Sequence, residues 1–167
     1  MTGLERFEGR REVASAEAME AWGREIGASL RAGDLVVLTG PLGAGKTTLT
    51  RGIGAGLDVR GPVQSPTFVI ARTHPSLGDG PPLVHVDAYR LGAAVELDDL
   101  DLDLDASVTI VEWGRGMVDG LRERWWEIEL ERGWSGTGVD TACGTSGPHV
   151  AEMEDAAPRI VTVTRRP

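Results

Sequence analysis

The chain has 167 residues, with 26 acidic and 17 basic side chains and a net charge of −9. That length suits one domain spanning 1–167 with a sizeable core, and the acidic balance argues against a protein that grips a nucleic-acid backbone by charge. A single cysteine, Cys143, excludes an internal disulfide and any multi-cysteine metal site; no apolar run reaches membrane-spanning length and the first residues lack a signal peptide's apolar core, so the expected location is cytoplasmic.

Residues 1–14 read as a short strand or an irregular lead-in. Ser15 then reads as a helix N-cap, Met19, Trp22, Ile26 and Leu30 recur at helical spacing, and Gly33 supplies the stop. Trp22 reads as core rather than as a ligand contact.

A short apolar strand from Leu35 to Leu38 leads into Gly40-x-x-x-x-Gly45-Lys46-Thr47, with a helix beginning at Lys46. Strand, glycine-rich turn and helix in that order form a phosphate-binding loop. Side chains at Gly40, Gly43 and Gly45 would block the curl of backbone N–H groups around phosphate oxygens, and the helix start adds its own unpaired N–H groups and positive dipole end. Gly40, Pro41, Leu42, Gly43, Ala44, Gly45, Lys46, Thr47 and Thr48 therefore form the candidate nucleotide cradle. Lys46 would reach the β- and γ-phosphates, Thr47 a Mg²⁺ bridging them, and Thr48 the α-phosphate. Lys46 is also the only lysine in the chain, every other basic residue being arginine. A compact ammonium is thus kept at the one position where a guanidinium is no substitute.

Gln64-Ser65-Pro66-Thr67 leads into a strand from Phe68 to Ala71, Pro66 disfavouring helix at Ser65. Two readings stand: a plain turn into a strand, favoured by the residues alone, and a switch-like segment whose hydroxyls sense the γ-phosphate or its metal. Leu83, Val84 and Val86 suggest another strand, with Asp87 at its carboxyl end, where α/β sheets collect ligands; the plainer role for Asp87 is to cap a turn. Arg90 is as suited to the surface as to charge stabilisation. The acidic run 95–106 lacks the central glycine and terminal glutamate of an EF-hand and reads as a solvated helix and turn.

Val108, Ile110 and Val111 make a buried strand ending at Glu112-Trp113-Gly114. A carboxylate closing a buried strand downstream of a phosphate loop is the place for a second metal contact or for orienting attacking water. Trp113 beside it covers the nucleotide or simply packs. Residues 115–132 read as helix, then strand from Trp125 to Leu130; Arg159 to Val163 reads as the last strand. Between them, residues 133–157 read as a mobile insertion of little apolar periodicity. The expected fold is α/β: a P-loop NTPase-like, mostly parallel central sheet flanked by helices, with a C-terminal antiparallel strand pair.

Taken together, GDLVVLTGPLGAGKTTLTRG, VQSPTF, HVDAYRL, ELDDL and VEWG resemble, in order, the TsaE family of bacterial P-loop ATPases, over roughly residues 15–130. The resemblance implies ATP and Mg²⁺ as cofactors and TsaD and TsaB as partners. It further implies a role in forming threonylcarbamoyladenosine at position 37 of tRNA, the tRNA being reached indirectly through the complex, with ATP hydrolysis supporting turnover of the partner enzyme. Residue by residue it puts the phosphates on Gly40 to Thr48 and Mg²⁺ on Thr47 and Glu112. It makes Asp87 a further essential acid, gives Ser65, Pro66 and Thr67 the switch-like role, places adenine near Ser15 to Met19, and sets Trp113 beside the nucleotide. Lys46, Asp87 and Glu112 are then the catalytic set. Pro41 stands where the family often has an acidic residue, and Met19 where threonine is common.

The alternative is a small-molecule kinase of the P-loop class, but Arg115, Arg122, Arg124 and Arg132 do not read as an arginine-rich lid. A guanine-specific switch is disfavoured because its recognition motif needs a second lysine.

Overall fold

The computed structural model describes residues 3–66, 70–91, 100–133 and 157–167. A 3-10 turn at Glu5–Phe7 precedes β1 (Gly9–Val13) and α1 (Ala16–Gly27); then come β2 (Leu35–Thr39), α2 (Lys46–Gly56), β3 (Ala71–His74), β4 (Leu83–Asp87), β5 (Val108–Glu112), β6 (Trp125–Arg132) and β7 (Arg159–Arg166). The seven strands form one sheet in the order β1-β7-β6-β2-β5-β4-β3. Neighbours from β6 to β4 pair in parallel, while β3, β7 and β1 add antiparallel pairings at the two margins. The expected parallel centre with a C-terminal antiparallel pair is observed within a mixed sheet, and β1 extends that pair by one strand.

Alternation along the central strands sorts the core. Val36, Leu38, Val108 and Ile110 face the two helices together with Met19, Trp22, Ile26, Leu49 and Ile53. Leu35, Val37, Val84, Val86 and Val111 face the other way, against Val118 and the partly buried Leu100, Leu102 and Leu121. Among the described residues, helices thus cover one face and loops the other. Near-continuous apolar strands are what burial on both faces demands.

The helices approach each other through glycines. A Cβ on Gly27 would stand 2.2 Å from the Ile53 carbonyl oxygen, and one on Gly56 2.2 Å from that of Arg24; Gly23 and Gly52 are equally closed off. Backbone touches backbone here, which no larger residue permits. This contact seats the start of α2, and so the phosphate loop, firmly on the sheet.

Some elements differ from expectation. α1 begins at its Ser15 cap, whose Oγ accepts the Ala18 N–H, but ends at Gly27 rather than running to Gly33. Ser29 Oγ turns back to the Glu25 carbonyl and accepts from Arg6, while Gly33, at φ 91°, bonds the Ser107 carbonyl at the entry to β2. Residues 115–124 form turns and bridges instead of a helix, with Gly116 and Gly120 at φ 76° and 95°. The described part of the acidic run, 100–106, contains turns and no helix; Leu100 and Leu102 tuck beneath the sheet while Asp101, Asp103 and Asp105 stay exposed. β3 starts at Ala71, where the sequence suggested a strand ending. Thr67, Phe68 and Val69, together with residues 134–156 of the expected insertion and Cys143 within it, lie outside the described residues.

Candidate active site

The site is built at the carboxyl ends of three adjacent parallel strands. In register, Leu38 of β2 lies opposite Glu112 of β5, and Glu112 opposite Asp87 of β4. The strand that launches the phosphate loop therefore has two carboxylates lined up beside its end. This is where an open α/β sheet collects ligands.

Gly40 leaves β2 at φ 156°, and a Cβ there would meet the Leu130 carbonyl at 2.4 Å, so the loop turns close over β6. Gly43 and Gly45 take φ 75° and 102°, and Gly45 caps α2 from the left-handed region. Lys46 opens the helix and folds back: its Nζ donates to the carbonyls of Gly40 (2.7 Å) and Pro41 (3.0 Å) and sits 4.1 Å from the centre of the Trp113 ring. Burial pushes its ammonium below the ordinary lysine value, and the Glu112 and Asp87 carboxylates oppose that shift. The loop is pinned from outside as well, Arg132 donating to the Leu42 carbonyl (2.7 Å) and Arg159 to that of Gly43 (3.3 Å).

A cavity of about 580 Å³ opens over the loop, a size suited to a nucleotide-like ligand. Of the residues singled out from sequence, Ser15, Met19, Leu42, Gly43, Ala44, Gly45, Lys46, Thr47, Thr48, Ser65, Asp87, Glu112 and Trp113 line it. Gly40 and Pro41 stand behind it as carbonyl partners of Lys46. Pro66 is buried next to Ser65 without reaching the cavity, and Thr67 lies outside the described residues, as does the side chain of Arg90. Asp87 does both things foreseen for it: it lines the cavity, and its Oδ1 accepts the Tyr89 N–H to cap a short 3-10 turn.

Three residues of the site escaped the sequence reading. His85, fully buried on β4, lies 2.9 Å from Glu112 Oε1 through Nε2. Its signal was a polar residue on the apolar face of a strand, two places before Asp87. Tyr89 stacks at a tilt on Trp113, ring centres 5.4 Å apart, at the cavity rim. Arg159 reaches the cavity only because β7 returns antiparallel to β6 and sets it opposite Arg132, a pairing no local pattern announces.

The sequence model of a family described as "Threonylcarbamoyl adenosine biosynthesis protein TsaE" matches residues 13–137. The chain belongs to the TsaE family. It is 64% identical over 117 residues to the tRNA threonylcarbamoyladenosine biosynthesis protein TsaE of Streptomyces coelicolor, covering 68% of this chain and 79% of that one. The Bacillus subtilis protein of the same name is 37% identical over 124 residues, 72% of this chain and 75% of that one. A crystal structure of Bacillus subtilis YdiB superposes with a TM-score of 0.64 at 28% identity, over 92% of this chain and 82% of that one. The family match reaches from the end of β1 to just past β6, so every strand end and loop that forms the cavity, apart from Ala157 and Arg159, falls within it. TsaE membership ties the chain to tRNA modification. No helix among the described residues is long and apolar enough to cross a membrane.

Proposed function

We propose that this chain is a Mg-dependent, cytoplasmic ATPase that converts ATP and water to ADP and phosphate, and that this hydrolysis supports turnover of a TsaD-TsaB complex in tRNA threonylcarbamoyladenosine formation. One observation carries the reading. Lys46 lies buried between loop carbonyls and the Trp113 ring, with Asp87 and Glu112 at the two adjoining strand ends.

The residues fit the cofactors the family implies. A glycine-rich loop at a helix start offers N–H groups and a positive dipole end to phosphate oxygens, and Lys46 adds a fixed cation. Thr47 and Glu112 line the same cavity and would hold Mg²⁺. An ion held there by one or two protein oxygens would complete its coordination with waters and substrate phosphates. When bound, the ion neutralises charge on the phosphate oxygens.

The chain's own residues do the rest. The loop amides and Lys46 fix the triphosphate, whose charge they neutralise as the terminal phosphoryl group departs. Asp87 or Glu112 accepts a hydrogen bond from the attacking water and orients it in line. Trp113 and Tyr89 border the same cavity and would limit access of further water to it. Ser65 lines the same space and, with Pro66 and Thr67, would act as the switch-like segment. Ser15 and Met19 border the other part of the cavity, suiting them to the adenosine.

The test is phosphate release by the purified protein alone, with TsaD and TsaB, and with a panel of metabolites. Slow hydrolysis that rises with the partners supports the reading. Stoichiometric phosphoryl transfer to a metabolite overturns it in favour of a kinase.

A further inference from the structure

His85 stands where the strand pattern calls for an apolar residue. On the helix-covered face of β4 and β5 its neighbours Leu83, Val108 and Ile110 are apolar and fully buried, and His85 is itself 0% exposed. Burying an imidazole at such a position costs free energy unless its nitrogens are paired. Only one of them is: Nε2 lies 2.9 Å from Glu112 Oε1, while Nδ1 has no partner among the described residues. A position that tolerates an orphaned ring nitrogen calls for an explanation beyond stability.

The register supplies one. His85 lies opposite Ile110 in the parallel β4–β5 pair, so its side chain reaches diagonally to Glu112, one step further toward the carboxyl end. Glu112 is held there at 3% exposure at the edge of the cavity that also admits Lys46, Thr47 and Asp87. A glutamate with three rotatable bonds would otherwise sample several rotamers at this edge, or swing toward the Lys46 ammonium. With Oε1 taken by His85, only Oε2 is available to the cavity.

We propose that His85 is a positioning residue that holds Glu112 in place for the divalent cation of the nucleotide complex. It does so by donating Nε2–H to Oε1. The orphaned Nδ1 enforces this: a proton there would be a buried donor with nothing to bind, whereas a bare lone pair is the lesser cost. A hydrogen-bonded carboxylate ligand oriented from behind is a recurring way of raising affinity for a metal. The inference deepens the ATPase reading and rests on Glu112 serving as a cation ligand.

Two experiments test it. In the first, ATP affinity is measured with excess EDTA and with Mg²⁺, for wild type, His85→Leu and His85→Gln, alongside nucleotide-free melting curves. The glutamine amide replaces the Nε2 donor; leucine does not. His85→Leu should keep its ATP affinity in EDTA, since the phosphate loop is untouched, and lose the Mg²⁺-dependent gain by about 10-fold or more. His85→Gln should retain most of that gain. In a Glu112→Gln background, the His85 substitutions should have no further effect on it. A folded His85→Leu protein with an undiminished Mg²⁺ gain, or one that loses affinity equally in EDTA, overturns the proposal. If wild type binds no ATP at all, the ATPase reading itself fails.

The second experiment needs no ligand and no variant that must fold. Long-range ¹H–¹⁵N correlation spectra of the intact, nucleotide-free protein report the imidazole tautomer of each of its three histidines. His85 should show the Nε2–H tautomer; an Nδ1–H signature overturns the proposal.

Discussion

The Lys46 ammonium sits 4.1 Å from the centre of the Trp113 ring, and the backbone of Trp113 pays for that placement. Its φ of 62° lies in the left-handed region, uncommon for a bulky residue, and its N–H bonds the Leu38 carbonyl of the strand that launches the loop. The ring is thereby turned over the lysine, where Tyr89 backs it. Trp113→Ala should weaken Mg-ATP binding by about 3- to 30-fold, the range that a partly desolvated cation–π contact and ring stacking supply. Trp113→Phe should lose less. Equilibrium titration with ATP distinguishes them, and equal loss in both variants would mean the ring does not act through its face.

The close helix pair makes a stability prediction of opposite sign to simple propensity. Glycine inside a helix ordinarily disfavours it, so a larger residue would gain roughly 0.5–1 kcal/mol. At Gly27 the gain is swamped, because the new Cβ would stand 2.2 Å from the Ile53 carbonyl oxygen, which belongs to backbone and cannot rotate away. Gly27→Ala should lower stability by about 1–3 kcal/mol in urea unfolding. It should also loosen nucleotide binding, since α2 carries Lys46 at its start.

Glu127 is a buried carboxylate on β6 that accepts from Arg115 Nε (2.5 Å) and Arg166 Nε (2.6 Å). Burial pushes its carboxyl up, but the two arginines win and hold it below the ordinary glutamate value of 4.5. The unfolded chain therefore binds this proton first as pH falls. The stability Glu127 contributes is complete above about 4.5 and disappears as pH drops through the lower folded-state value. Glu127→Gln should cost about 1 kcal/mol near neutral pH, the two arginines being half exposed and partly screened. It should also flatten the acid limb of the stability curve, measured by denaturant midpoints between pH 6 and pH 3.5.

His74 titrates at higher pH. It is buried at the end of β3, and burial pushes its imidazole below the ordinary 6.5, helped by the charge of Arg72 and opposed by an Arg60 backbone hydrogen bond. The folded protein then resists protonation that the unfolded chain accepts. Stability should be constant above about 6.5 and fall as pH drops from there toward the folded-state value. Melting temperatures at pH 7.5 and 5.5 check this. His74→Gln should show a smaller drop than wild type; an identical drop would assign the effect elsewhere.

Much of this was written locally in the sequence. The phosphate loop is one contiguous segment whose glycines, lysine and following helix announce themselves, and the strands ending at Asp87 and Glu112 are short apolar runs closed by a carboxylate. Expectations failed where tertiary context overrode the pattern. The leucines of 100–106 alternate with aspartates in a way that suits a helix less than a loop tucked under a sheet, and the spacing of Met19 to Leu30 continued past the point where Ser29 and Arg6 end α1. His85, Arg159 and the paired helix glycines acquire their roles only from which strand or helix lies alongside. No single segment of the sequence carries that information.

Every role proposed for the cavity depends on the Lys46 loop binding Mg-ATP. Calorimetric titration of Mg-ATP into the wild-type protein and into Lys46→Ala, each verified as folded by circular dichroism, tests it most directly. Saturable one-to-one binding by wild type, lost in Lys46→Ala, is the result expected. Unchanged binding by Lys46→Ala, or a folded wild-type protein that binds no nucleotide, would contradict it.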